Sequence, residues 1–129
     1  MESHVDLGVL GTLRDVMEGE YPALLDVFIK DSEQRVGDLN RLILGPGFSA
    51  SSAAQMEQVG MMAHSFKGSC SNMGAVDLAQ LCHQLEDVSR SPIVASDGQI
   101  RQLLNAIEIE YSVVRGLFDA ELQSVRVRR

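Results

Sequence analysis

The chain has 129 residues, enough for one domain built on one hydrophobic core. Apolar residues make up 45% and charged residues 22%, a globular balance that excludes a disordered chain, and no apolar run approaches the roughly 18 residues of a membrane span. The formal net charge of −7 argues against nucleic acid, whose phosphates require clustered basic residues, and the tail Arg126-Val127-Arg128-Arg129 is too short to reverse that.

The start, Met1-Glu2-Ser3-His4, is polar and acidic and does not read as a secretory signal; His4 is expected to be inert in a frayed terminus. Apolar residues then recur at spacings of three and four, and strand-like alternation never persists. A first short helix is predicted over Leu7 to Met17, with Leu10, Leu13 and Met17 inward. The acidic run Glu18-Gly19-Glu20 reads as solvated. Pro22 suits the first turn of a second helix, about 22–44, with Leu24, Leu25, Phe28, Ser32, Leu39, Leu42 and Ile43 on one side.

Gly45-Pro46-Gly47 stops that helix. Ser52-Ala53-Ala54-Gln55 has capping-box form and opens a third, about 52–73, with Val59, Ala63, Phe66, Cys70 and Met73 inward. Gly74 marks a break. The fourth helix, about 76–89, turns Leu78, Leu81, Cys82, Leu85 and Val88 inward, and Ser91-Pro92 ends it. Ser96-Asp97-Gly98-Gln99 is a second capping-box candidate. It begins a last helix, about 97–125, whose inward residues are Ile100, Leu104, Ile107, Tyr111, Val114 and Phe118, with either Ile107 or Ile109 displaced to the flank. The expectation is an all-α single domain over 1–129, an antiparallel up-down four-helix bundle with a short additional N-terminal helix. Cys70 and Cys82 fall inside helical patterns and read as reduced core residues of a cytosolic, cytoplasmic protein.

The chemistry concentrates in Ala63-His64-Ser65-Phe66-Lys67-Gly68-Ser69-Cys70-Ser71-Asn72-Met73-Gly74. His64 and Lys67 are three residues apart and share one helix face. With the third and fourth helices as an antiparallel hairpin about Ala75, residues equidistant from it lie at equal height. His64 then faces Glu86, and Lys67 faces His83. Each of His64, His83 and Glu86 follows an inward residue by one position, about 100° around the helix, so all three are expected beside the core in a solvent-facing groove. Neutral imidazole is a nucleophile near pH 7. A carboxylate accepting Nδ1–H fixes the tautomer and leaves Nε2 free, a role that falls to Glu86. Lys67 supplies charge and donors for phosphoryl oxygens. Gly68 leaves room for a partner or for close helix packing, and Ser71 and Ser65 offer hydroxyls.

This segment resembles the histidine-containing phosphotransfer (HPt) family, whose motif is a histidine, Lys-Gly at the third and fourth positions after it, small residues, and a hydrophobic-Gly pair. Here those are His64, Lys67, Gly68, Ser69, Cys70, Met73 and Gly74, with the match continuing through Leu78, Leu81, Leu85 and Glu86. The resemblance implies a four-helix bundle and a standalone bacterial two-component module. It implies phosphoryl relay from one receiver-domain aspartate to another, between hybrid sensor kinases and response regulators, through a phosphohistidine on His64. It implies a phosphoryl carrier rather than an enzyme with ATP chemistry, and no Gly-rich nucleotide loop is found. It also implies no cofactor, with any Mg²⁺ held by the receiver. A monomer is expected, without nucleic acid or membrane partners. The histidine at His83 is similar to one in the phosphotransfer domain of chemotaxis kinases, so a phosphoacceptor for such a kinase is a second possible function. Two functions of different classes also fit a helical bundle of this size: a helical adaptor without chemistry, and a small metal-dependent enzyme. Cys70, Cys82 and His83 do not make a metal set, because both cysteines lie on the apolar stripe, no Cys-x-x-Cys is present and a fourth ligand is missing.

Overall fold

Apolar spacing of three and four along the whole chain is resolved, in the computed structural model, into helices joined by short turns; the structure describes residues 4–127. Met1-Glu2-Ser3 and the tail residues Arg128-Arg129 lie outside the described residues. The helices are α1 (Leu7–Met17), α2 (Tyr21–Ile43), α3 (Ala53–Asn72), α4 (Val76–Arg90) and α5 (Asp97–Val127), with a 3₁₀ turn at Glu18–Glu20 between the first two. The four long helices form an antiparallel up-down bundle. α3 packs most heavily on α4, α2 on α5, and the contacts α4–α5 and α2–α3 close the ring. α1 is the additional N-terminal helix and leans on α2.

Local chemistry sets the ends. Asp6 caps α1, its Oδ1 accepting from Gly8 N at 2.9 Å and Val9 N at 3.3 Å. Pro22 sits in the first turn of α2, where its missing N–H costs nothing. Ser52 caps α3 by accepting from Gln55 N at 3.3 Å, but the expected box is only half made. The Gln55 amide turns to the preceding loop instead, accepting from Ser49 N at 2.8 Å. Ser96 Oγ likewise accepts from Gln99 N at 3.1 Å at the head of α5. Asp97 Oδ1 accepts from Ala50 N at 2.7 Å, which ties the α2–α3 loop to α5.

The inward residues of the third and fifth helices are all buried, and Ile109 is the isoleucine displaced to the exposed flank. In the other helices Leu13, Met17, Leu24, Leu42, Leu81 and Val88 are only partly buried at the edge of the core. Phe28 of α2 and Phe118 of α5 stack at 4.8 Å between ring centroids, tilted by 42°. Tyr21, Ile29, Val36, Gly60 and Ala79 are buried beyond the expected stripe, as are Phe48 and Ala50 in the α2–α3 loop, where no periodicity marks an inward residue. Ser32 is fully buried, and its hydroxyl has no hydrogen-bond partner among the described residues. Cys70 and Cys82 are buried free thiols, and hydrogen bonding to Cys82 together with burial pushes the Cys70 thiol up. No helix among the described residues is long and apolar enough to cross a membrane.

Candidate functional site

The α3–α4 hairpin turns at Gly74, whose φ of +74° is the left-handed conformation glycine adopts without strain. A Cβ there would also meet Val9 Cβ at 3.0 Å and Asp6 O at 3.1 Å, so glycine serves both the turn and the close approach of the N-terminal segment. Asp6 N donates to Gly74 O at 2.7 Å across that contact. The turn sets the register of the hairpin, and the two equal-height pairs meet. His64 Nδ1 lies 2.8 Å from Glu86 Oε2, and Lys67 Nζ lies 3.5 Å from His83 Nδ1.

Glu86 departs from the expected solvent-facing groove. Its side chain is only 7% exposed, whereas the His64 side chain is 61% exposed. The carboxylate lies beneath the imidazole because three donors converge on it. Lys67 Nζ donates to Oε1 at 2.8 Å, while Arg90 Nη1 donates to Oε2 at 2.6 Å beside His64. The hydrogen bond from Lys67 chiefly, with His64 adding to it and burial opposing, holds the Glu86 carboxyl below the usual carboxylate range. At neutral pH Glu86 is therefore an ionised, acceptor-only group. Nδ1 of His64 must carry the proton it donates, and in the neutral ring Nε2 then holds the lone pair. Among the described residues no side chain bonds Nε2.

Sequence reasoning misses Arg90. Its one available signal is its place a single turn after Glu86 on the same face of α4. It crosses α3 at Gly60, where an added side chain would push the Ser89 and Arg90 side chains aside. A Cβ on Gly60 would come within 2.7 Å of Ser89 Oγ and 3.2 Å of Arg90 Nε. Gly68 is the opposite case: a Cβ there would meet nothing within 4 Å, so its lack of a side chain serves no packing inside the chain.

His83 sits at the edge of the site, its Nε2 3.2 Å from Asp87 Oδ2. Ser71 is exposed and lines a shallow cleft with Asp6, Val9, Lys67 and His83. Ser65 points the other way, accepting from Arg35 Nη1 of α2 at 2.7 Å. His64, Lys67, Glu86, His83 and Arg90 are thus one connected cluster, with Gly68 and Ser71 on its open rim.

Fold and site together define a helical-bundle module that presents to solvent a histidine tethered to a buried carboxylate. The Hpt domain family model matches residues 23–125, and the chain belongs to that family. HptB from Pseudomonas aeruginosa PAO1, a histidine-containing phosphotransfer protein, is 38% identical and superposes with a TM-score of 0.79, over 96% of this chain and 98% of that one. A rice protein assigned as a histidine-containing phosphotransfer protein superposes with a TM-score of 0.80, over 98% of this chain and 87% of that one; at 17% identity it shows the shared fold alone. A search of curated proteins found no significant match. Histidine phosphotransfer in phosphorelays is the function class of this chain.

Proposed function

We propose that the chain accepts a phosphoryl group on Nε2 of His64 from the aspartyl phosphate of one receiver domain and passes it to the aspartate of another. One observation carries this reading: an exposed imidazole whose Nδ1–H is held by a buried, ionised carboxylate, so that the free lone pair faces outward. In the accepting step the Nε2 lone pair forms the N–P bond while the acyl phosphate P–O bond breaks, and the receiver carboxylate leaves with the electron pair. In the neutral ring Nε2 carries no proton to lose. The positive charge that develops on the ring is stabilised by Glu86 through Nδ1–H. Lys67, tethered to Glu86 Oε1, is within reach of the incoming phosphoryl oxygens and neutralises their charge. Arg90, on the other oxygen of Glu86, adds a second cation beside the ring. The open space over Gly68 lets a receiver loop approach the helix backbone. Any Mg²⁺ needed for the transfer would be held by the receiver's carboxylates, and this chain acts as a carrier without kinase chemistry of its own.

Incubation with a phosphorylated receiver, followed by phosphate mapping, tests the reading. Label should reach this chain, survive alkali and be lost in acid, and His64→Gln should take up none while folding normally. Label on His83, or an undiminished label in His64→Gln, would refute the assignment of the nucleophile.

A further inference from the structure

A second cluster lies on the N-terminal segment, apart from the phosphoacceptor. His4, expected in a frayed terminus, is instead held against the bundle: its Nδ1 lies 2.6 Å from Glu110 Oε2 and 3.8 Å from Asp77 Oδ2. The three ligand atoms all fall within 4.8 Å of one another. They come from three places, namely the segment before α1, the first turn of α4 and the middle of α5. Glu110 is the least exposed of the three. Two carboxylates and an imidazole brought so close carry excess negative charge. A proton shared between Nδ1 and Oε2 serves only one of the two acids.

We propose that His4, Asp77 and Glu110 form a divalent-cation site of the Zn²⁺ type, one imidazole nitrogen and two carboxylate oxygens with water completing the shell. The ion takes the place of the proton between Nδ1 and Oε2. Ligand bonds of about 2.0–2.1 Å at a tetrahedral angle separate neighbouring donors by about 3.3 Å. The His4–Glu110 contact then opens by about 0.7 Å and the His4–Asp77 contact closes by about 0.5 Å. Side-chain torsions supply both shifts. A consequence follows for the relay face. Asp6, two residues after His4, caps α1 and bonds Gly74, and Val9 lines the cleft that holds Lys67, Ser71 and His83. An ion on His4 would staple this segment to α4 and α5 and hold α1 beside the cleft.

Among the described residues the other histidines offer two-ligand pairs, His64 with Glu86 and His83 with Asp87. That difference makes the test specific. The untagged full chain is titrated with Zn²⁺ against a chromophoric chelator, with helicity checked by circular dichroism. One Zn²⁺ per chain is expected, with affinity falling at least tenfold in each of His4→Gln, Asp77→Asn and Glu110→Gln. A His64→Gln/His83→Gln double variant should bind Zn²⁺ as the parent does. Absence of binding, binding that survives Glu110→Gln, or binding lost in the double variant would each overturn the site.

Discussion

Replacing Glu86 by glutamine removes one unit of charge while keeping an oxygen that can accept from His64 Nδ1. The charge matters to the proposed transfer, in which a positive ring would develop 2.8 Å from Oε2. Two unit charges at that separation interact by about 1.5 kcal/mol with the screening of bulk water and by about 6 kcal/mol at an effective dielectric of 20. The ring is 61% exposed, so the screened end applies. About 1.5 kcal/mol corresponds to about a tenfold slower transfer. Glu86→Ala also loses the acceptor that fixes the tautomer, and it should be slower again by several-fold. Folding should suffer less. Lys67 and Arg90, at 27% and 53% exposure, can return to solvent, so each lost contact is worth at most about 1 kcal/mol. Single-turnover transfer from a phosphorylated receiver measures the rates, and circular dichroism melts check the fold. A well-folded glutamine variant within twofold of the parent would refute the electrostatic role. A glutamine variant as slow as alanine would refute the division between charge and orientation.

Gly68 separates partner access from packing. Gly68→Ala should raise stability by about 1 kcal/mol, because nothing opposes a Cβ there, whereas Gly68→Gln should keep a normal melt and slow transfer by crowding the receiver. Ser32→Ala removes a buried hydroxyl without a partner and should raise stability by about 1 kcal/mol in chemical denaturation; a loss of that size would mean the hydroxyl is bonded after all. In acid, Glu86 makes stability fall. Its folded pKa lies below the ordinary value of about 4.3, so the unfolded chain binds the proton first, and the contribution, present above that pH, is lost as pH drops through the folded value. Denaturation midpoints of Glu86→Gln should show a shallower acid slope. In alkali the sign reverses for Tyr21. Burial, then the Glu121 carboxylate accepting its hydroxyl at 2.6 Å, raise its pKa, so its contribution is lost as pH climbs above about 10, and Tyr21→Phe should flatten that decline.

The sequence alone determined the helices and their order, and it singled out the histidine proposed here as the phosphoacceptor. Hydrophobic spacing reports which side of a helix avoids water, and that preference is local: Val59, Ala63, Phe66 and Cys70 mark the buried face of α3 without reference to any neighbour. The pairing of His64 with Glu86 was legible for a related reason, since a tight turn at Gly74 fixes the register of the two helices it joins. Only the tertiary structure decided how deep each polar group lies. Glu86 and His64 stand at equal height, but burial depends on what covers a side chain from outside its own helix. Lys67 and Arg90 close over the carboxylate and leave the ring open. The crossing of Arg90 over Gly60, the empty space at Gly68 and the buried Phe48 of the α2–α3 loop are likewise properties of packing between elements. The meeting of His4, Asp77 and Glu110 is the extreme case, because their separation along the chain carries no periodic signal, and only the folded bundle brings them within bonding reach.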